Sequence, residues 1–273
     1  MIKVDLHTHT NHSHGQNSVQ EMYDRGKLLG LEVMGFSEHS PRPLAYSYPR
    51  EYREHLSATF EEYISSVLAL KQLSAGPKIL LGLEMDYFPL EEEFIRNTLA
   101  AHPYEYVIGG LHFLNTWGFD HSQEDWDKLS EDEKRHHYEH YYQTLVKLAD
   151  SGMMHIVAHP DLIKIFSVDF FHEWIQEKSS QALIKEALVA IKDNNMAMEI
   201  SSAGLRKPCK EIYPGPVLMR MANDLDLPIT FASDAHCINT VGYAFDQLAD
   251  YANKFGFTHS QYYCDGKWQS KAF

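Results

Sequence analysis

The apolar positions of the chain form two alternating patterns. Short apolar runs of the kind found in strands occur at 2–6, 33–37, 79–85, 105–111, 155–158, 196–201 and 228–233. Longer segments with apolar residues at helical spacing separate them, at 18–30, 50–74, 90–100, 130–151, 180–194, 215–226 and 240–256. This order predicts seven βα units and therefore a parallel sheet with helical crossovers.

Local signals support two of these helices and mark one exception to the pattern. Ser18 followed by Glu21 is a capping box, which predicts that a helix begins there. The segment 50–74 has one broad apolar face, formed by Phe60, Tyr63, Ile64, Val67, Leu68 and Leu70. The aromatic-rich segment 113–129 fits neither pattern. We expect it to be an irregular loop over a functional site.

Potential metal ligands stand where the predicted strands end. His7 and His9 follow the first run, and alternate residues of an extended strand share a face. Later runs end in Ser37-Glu38-His39, Gly82-Leu83-Glu84, Gly110-Leu111-His112, Ala158-His159-Pro160 and Ser233-Asp234-Ala235-His236. An open sheet and a closed barrel both fit the βα order, but only closure brings six strand ends around one mouth. We therefore predict a distorted seven-stranded (β/α)7 TIM-like barrel, with 1–273 as one domain and a metal site at the C-terminal face of its strands.

Composition restricts the class of protein. The 273 residues are 44% hydrophobic, which suffices for a barrel-sized core. The net charge of −14 argues against nucleic acid as a partner. No apolar run reaches the length of a membrane span and no signal peptide is recognisable. Three unpatterned cysteines and 17 histidines favour a reducing cytoplasm and metal binding over a disulfide framework.

The strand-end motifs resemble those of the PHP (polymerase and histidinol phosphatase) superfamily over nearly the whole chain. Longer strings resemble its histidinol-phosphate phosphatase branch: His112-Phe113-Leu114-Asn115, Trp117-Gly118-Phe119-Asp120, His159-Pro160-Asp161-Leu162-Ile163-Lys164, Gly204-Leu205-Arg206-Lys207-Pro208 and Glu211-Ile212-Tyr213-Pro214.

The resemblance implies a centre of three divalent metal ions. The first ion would take His7, His9, Glu84 and Asp234; the second would share Glu84 and add His112 and His159; the third would take His14, His39 and His236. A carboxylate can bridge two cations through its two oxygens, which suits Glu84. Imidazole and carboxylate ligands without thiolate fit zinc, iron or manganese alike. Asp5 is interpreted as orienting a ligand imidazole, and His12 as a surface histidine.

The implied reaction is hydrolysis of L-histidinol phosphate to L-histidinol and phosphate, a step of histidine biosynthesis. A metal-bridging hydroxide held by Glu84 and Asp234 would attack phosphorus. Arg206, Lys207 and Lys164 would bind the phosphate of this small-molecule ester. Trp117 and Phe119 would pack against the substrate imidazole, or would simply fill the core. The general acid is Asp161 or a metal-bound water.

Two departures and three alternatives remain at the sequence level. Lys164 stands where the branch leads us to expect arginine, and Ser202-Ala203 replaces a more usual Thr-Ser pair, so another small phosphate ester could be the substrate. An amidohydrolase-like enzyme would bridge its metals with a modified lysine in place of Glu84. A PHP enzyme acting on nucleic acid would need a basic groove, and a non-catalytic PHP scaffold would lack ligands that are present here. Oligomeric state and native metal stay open.

Overall fold

Seven parallel strands form a closed barrel in the computed structural model, which describes residues 1–46, 49–72 and 76–273. The strands follow one another around the sheet in chain order: β1 (Val4–Asp5), β2 (Val33–Phe36), β3 (Lys78–Asp86), β4 (Tyr106–Gly110), β7 (Ile156–Val157), β8 (Ala197–Ser201) and β9 (Ile229–Ala232). The circle closes where Thr8 pairs with Ala235 in parallel register and the His9 amide donates to the Ala235 carbonyl over 2.8 Å. The predicted barrel is confirmed, and each predicted run overlaps one of its strands.

The helices between the strands also follow the predicted pattern. They are α1 (Val19–Leu28), α2 (Arg50–Leu70), α3 (Glu92–Ala100), α4 (Gln123–Asp127), α5 (Glu131–Asp150), α6 (Val168–Trp174), α7 (Lys178–Asp193), α8 (Pro216–Asp224) and α9 (Phe245–Lys254). The capping box of Ser18 and Glu21 is present at the start of α1. The predicted end of the second helix, residues 73 and 74, lies outside the described residues. The short helices α4 and α6 were not predicted.

A close-packed aromatic ring fills the centre of the barrel. Tyr106 of β4 is fully buried, and its hydroxyl donates to the Leu6 carbonyl over 2.5 Å. A Cβ atom at Gly35 would lie 2.1 Å from that hydroxyl, and one at Gly82 would lie 2.3 Å from the ring. These two glycines in β2 and β3 therefore provide the room that the Tyr106 ring needs.

The C-terminal residues form a hairpin of β10 (His259–Cys264) and β11 (Lys267–Ala272) that was not predicted. Cys264 joins the barrel-interior cluster that also contains Val4, Leu80 and Ile156. Tyr262, Tyr263 and Trp268 pack against the same cluster. The hairpin thus covers apolar residues of the barrel interior.

The segment 113–129 is more regular than we expected. It contains the two-stranded hairpin of β5 (Phe113–Leu114) and β6 (Trp117–Gly118), followed by α4. Asn115 occupies the left-handed region in the hairpin turn, with φ of 55°, a conformation that asparagine tolerates better than most residues. Burial of Phe113, Phe119 and Trp126 explains why the segment adopts fixed structure.

Candidate metal centre

Glu84 lies at the middle of the residues that the strand ends bring together. Its Oε2 atom faces three imidazoles, with distances of 2.8 Å to Nδ1 of His39, 3.4 Å to Nε2 of His7 and 3.5 Å to Nε2 of His9. Its Oε1 atom faces two others, 3.3 Å from Nε2 of His159 and 3.5 Å from Nε2 of His112. The two oxygens of one carboxylate therefore point at two different groups of imidazoles, the arrangement that a bridging ligand requires.

Three overlapping groups of ligand atoms have the spacing of metal sites. Within each group the atoms lie within 4.8 Å of one another, and the groups are His7-His9-Glu84, Glu84-His112-His159 and His9-His39-His236. Nε2 of His7, His9, His39 and His236 is buried without a hydrogen-bond partner. Buried polar atoms without partners are costly. A divalent cation would satisfy them, so the donor set fits metal ions.

Asp234 and His14 complete the set of nine expected residues at this place. Oδ1 of Asp234 is 3.3 Å from Nε2 of His9 and 3.5 Å from Nδ1 of His236. The His14 ring lies 4.1 Å from the His236 ring and 4.9 Å from the His39 ring, between centroids. His14 differs from the others because it is exposed and its Nδ1 is 3.2 Å from the Tyr52 hydroxyl.

Two of these residues have backbone conformations that most side chains avoid. Asp234 has φ of 49° and His159 has φ of 25°. A non-glycine residue in this region is strained, and such residues are common at functional sites. The strain here accompanies side chains that are turned toward the centre.

Sequence reasoning assigned no role to three buried carboxylates that lie behind the imidazoles. Oε2 of Glu199 lies 2.7 Å from Nδ1 of His7. Oε1 of Glu38 lies 3.2 Å from Nδ1 of His9, and Oδ1 of Asp86 lies 2.5 Å from Nδ1 of His112. A carboxylate on Nδ1 keeps the proton there and leaves Nε2 free for a metal. A signal was available, because each acid lies in or directly after an apolar strand.

Asp5 has a different role from the one that we predicted. Its carboxylate accepts the hydroxyl of Ser233 over 2.6 Å and the amides of Ser233 and Gly242 over 3.1 and 3.3 Å. It also accepts the backbone amide of His7 over 3.5 Å but contacts no ligand imidazole in these bonds, so it ties β1 to the segment after β9. His12 is also not a surface residue, since it is 7% exposed and its ring approaches that of Tyr63.

The charges of the centre are strongly coupled. Burial alone would raise the pKa of Glu84 and of Asp234, but the surrounding imidazoles hold both values well below the ordinary range. Burial alone would lower the pKa of His112, yet Asp86 and Glu84 raise it to about 9. Without a metal, protons on imidazoles balance these carboxylates. A metal ion must displace those protons, so metal binding and proton release are linked.

A pocket of about 330 Å³ opens onto the centre. It is lined by seven of the nine ligand candidates and by residues of four other segments: His14, His39, Pro49, Tyr52, Glu84, His112, Asp120, His121, His159, Leu162, Lys207, Tyr213, Asp234 and His236. Lys207 is the predicted phosphate-binding cation that lines it. Phosphate bound to the centre would therefore be within the same cavity as the Lys207 side chain.

Arg206 does not line the pocket but braces one of its walls. Its Nη2 donates to the carbonyl oxygen of Ser233 over 2.5 Å and to that of Asp234 over 3.1 Å. The guanidinium also lies over the Tyr243 ring. Arg206 therefore holds the segment that carries Asp234, whereas the sequence predicted a contact with phosphate.

Lys164 and Asp161 are buried together outside the pocket lining. Nζ of Lys164 is 2.8 Å from Oδ2 of Asp161 and 3.0 Å from Oε2 of Glu211. Oδ2 of Asp161 also accepts the Gly215 amide over 2.7 Å. Burial would lower the pKa of Lys164, but these carboxylates raise it. The structure thus holds both side chains in a buried ion-pair cluster, and neither is among the residues that line the pocket.

Trp117 and Phe119 pack in the core, the second of the two readings that their sequence context allowed. The Trp117 ring lies 4.6 Å from that of His137 and 5.5 Å from that of Trp126. Phe119 is fully buried, with its ring 5.6 Å from Tyr141. From this segment Asp120 and His121 line the pocket instead.

A barrel of seven βα units, with imidazoles and carboxylates gathered at the carboxyl ends of its strands, defines the class of metal-binding βα-barrel proteins. Within that class the chain belongs to the PHP domain family, whose model matches residues 5–203. No helix in the described part of the chain combines the length and the apolar character needed to cross a membrane.

Similar proteins match the chain over most of its length. A Deinococcus radiodurans protein named "Probable histidinol-phosphatase" is 33% identical over 246 residues, which are 88% of this chain and 89% of that protein. The "Histidinol-phosphatase" of Bacillus subtilis is 29% identical over 272 residues, 92% of this chain and 99% of the relative.

Solved structures share the fold. Histidinol phosphate phosphatase from Lactococcus lactis, complexed with zinc, L-histidinol and phosphate, superposes with a TM-score of 0.73 at 19% identity and covers 98% of each chain. At this identity the likeness establishes the barrel architecture.

Proposed function

We propose that the chain is a metal-dependent phosphomonoesterase that hydrolyses L-histidinol phosphate to L-histidinol and phosphate. The observation that carries the proposal is the geometry of the Glu84 carboxylate, whose two oxygens face two different groups of buried imidazoles. This centre opens into a pocket that also contains Lys207. The substrate is suggested by the relatives from Deinococcus and Bacillus, which are named as histidinol-phosphatases.

The nine residues support a centre of three divalent ions. The groups His7-His9-Glu84 and Glu84-His112-His159 correspond to the first two ions, with Asp234 as a further ligand of the first. Nδ1 of His9 is bound to Glu38, so His9 has one nitrogen left and can serve one ion. The third ion then takes His39 and His236 with the neighbouring His14. Zinc, iron and manganese all suit these donors.

When bound, the metals would activate a water molecule and polarise the phosphoryl oxygens. The side chains of the protein have three further tasks. Lys207 provides a positive charge for the phosphate dianion. Glu38, Asp86 and Glu199 hold the ligand imidazoles in one orientation. Arg206 positions Asp234 through the backbone, which keeps the geometry constant while charge develops on the phosphoryl group.

The proposal can be tested with steady-state kinetics on protein reconstituted with each candidate metal. We expect close to three metal ions per chain by elemental analysis and a higher kcat/KM for L-histidinol phosphate than for p-nitrophenyl phosphate or glycerol phosphate. Glu84→Gln should abolish most activity and leave the circular dichroism spectrum unchanged. Glu54→Gln, at an exposed ion pair on α2, is the control for loss of one negative charge.

Separate results would contradict separate parts of the proposal. One metal ion per chain, or none, would refute the three-ion centre. Equal kcat/KM values for all monoesters would refute the assignment of histidinol phosphate and leave a phosphoesterase of broader selectivity. Normal turnover of Glu84→Gln at saturating metal would refute the bridging role.

A further inference from the structure

Asp120 is a carboxylate of the metal pocket that no part of the reaction described above uses. It lines the cavity and is half-buried. Over residues 1–46, 49–72 and 76–273 it makes no hydrogen bond or ion pair with another residue. The other two pocket carboxylates, Glu84 and Asp234, are both surrounded by imidazoles. Its carboxylate lines the cavity and pairs with no cation of the described residues, so Asp120 is suited to a ligand that brings a positive charge.

The backbone around Asp120 is held firmly against the metal centre. The amide of Phe119 donates to the carbonyl of His112 over 3.2 Å. The Trp126 indole donates to the Phe119 carbonyl over 2.6 Å, and the Phe119 side chain is fully buried. These contacts place Asp120 directly after a residue whose backbone is hydrogen-bonded to the backbone of the ligand candidate His112. A fixed position is what a residue needs in order to select among substrates.

The pocket also has opposite charges on segments from different strands. Lys207 follows β8, whereas Asp120 follows the hairpin that extends β4. If the phosphate group lies at the metal centre near Lys207, the rest of the ester must occupy the remaining part of the cavity. Of the carboxylates that line the cavity, Asp120 is the one that is not a ligand candidate. A cationic group on that remainder would be attracted and an anionic one would be repelled.

We propose that Asp120 binds the cationic group of the substrate and makes the pocket selective for phosphomonoesters that carry an amine or imidazole near the ester. This inference rests on the proposed phosphatase function and deepens it. In L-histidinol phosphate the α-ammonium and the imidazole both lie a few bonds from the ester oxygen, so either can reach a carboxylate in the same cavity. Asp120 is then a specificity-determining residue, separate from the groups that act on phosphorus.

The test compares Asp120→Asn with wild type on paired substrates. The pairs are L-histidinol phosphate against p-nitrophenyl phosphate, and phosphoethanolamine against ethyl phosphate. For the substrate of each pair that carries a cationic group, we expect kcat/KM to fall about 10- to 100-fold, as for loss of a charge-assisted hydrogen bond. For the substrate without a cationic group, kcat/KM should be nearly unchanged. The Ki of L-histidinol should rise by a similar factor, and the Ki of inorganic phosphate should stay the same.

Controls separate selectivity from damage to the centre. Glu124→Gln removes one negative charge from the exposed start of α4, four residues away, and should leave both substrates unaffected. Metal content of Asp120→Asn should equal that of wild type by elemental analysis. A lower metal content would identify Asp120 as part of the metal centre and overturn the proposal.

The remaining outcomes are also decisive. Equal losses on cationic and neutral substrates, or no loss on either, would overturn the role of Asp120 even if the wild type prefers histidinol phosphate. If the wild type does not hydrolyse histidinol phosphate, the proposed function fails. The Asp120 inference would then stand if the variant still loses the preference for phosphoethanolamine over ethyl phosphate, and would fall if it does not.

Discussion

Glu199→Gln is the substitution that most directly tests how the centre is organised. Glu199 lies in β8 and is fully buried. Its Oε2 is 2.7 Å from Nδ1 of His7, and its Oε1 accepts the amide of His159 over 3.2 Å. Because a carboxylate accepts at both oxygens, it fixes the proton of His7 on Nδ1 and leaves Nε2 free for a metal.

Glutamine at this position can accept a hydrogen bond only at its amide oxygen, because its NH2 group donates. With its carbonyl on the His159 amide, its NH2 faces Nδ1 of His7. The metal-free protein can adjust by moving the His7 proton to Nε2, but binding a metal there requires the proton to move back. The N–H at Nδ1 of His7 then faces the NH2 group of the glutamine. Two donors facing each other cost about 1–3 kcal/mol, the penalty for an unsatisfied buried group. We therefore expect metal affinity to fall roughly 5- to 150-fold, in the range for loss of such partners.

The assay is a titration of metal-stripped protein with Zn²⁺ in competition with a chromophoric chelator. Wild type, Glu199→Gln and the surface variant Glu54→Gln are compared at one pH. We expect weaker binding only in Glu199→Gln, with an unchanged circular dichroism spectrum. Wild-type affinity in Glu199→Gln would refute the argument that this carboxylate sets the tautomer of a ligand.

Three further predictions follow from the placement of the side chains. Trp117→Ala should destabilise the fold by about 1–3 kcal/mol, measured by thermal unfolding. It should change kcat/KM equally for L-histidinol phosphate and p-nitrophenyl phosphate. A loss on L-histidinol phosphate alone would show that Trp117 contacts the substrate. Arg206→Ala should lower kcat/KM about 10- to 100-fold for every phosphomonoester because Asp234 is no longer held, and a loss confined to one substrate would contradict this. Removal of metal with a chelator should lower Tm, since ligand at 100 times Kd stabilises by about 2.7 kcal/mol; an unchanged Tm would show that the buried ligands are stable without cations.

The barrel could be predicted because strand and helix periods are local properties. Each apolar run indicates that its own strand is buried. Seven such runs connected by helices are compatible with only a few sheet topologies. The C-terminal hairpin was missed because ten of its twelve strand residues are exposed or only partly buried, so its pattern does not show that it covers the barrel interior. The short helix α6 escaped notice because seven residues are too few for a clear period.

The metal ligands were recognisable for a related reason. In a parallel barrel every strand delivers its last residues to the same mouth, so histidines and acids at six strand ends must approach one another. The partners behind them were not recognisable. Glu199 and His7 are 192 positions apart, and which carboxylate meets which imidazole depends on how the strands twist and close.

The sequence by itself therefore determined the order of the elements, the closed sheet and the chemical types that meet at its mouth. The tertiary structure alone decided which side chains face the pocket. Lys164 is withdrawn into a buried pair with Asp161 and Trp117 into an aromatic cluster, whereas Asp120 and Lys207 reach the cavity. The physical reason is that periodicity reports the face of its own helix or strand on which a residue lies. Its neighbours across the barrel are set by packing between segments that are far apart in the chain.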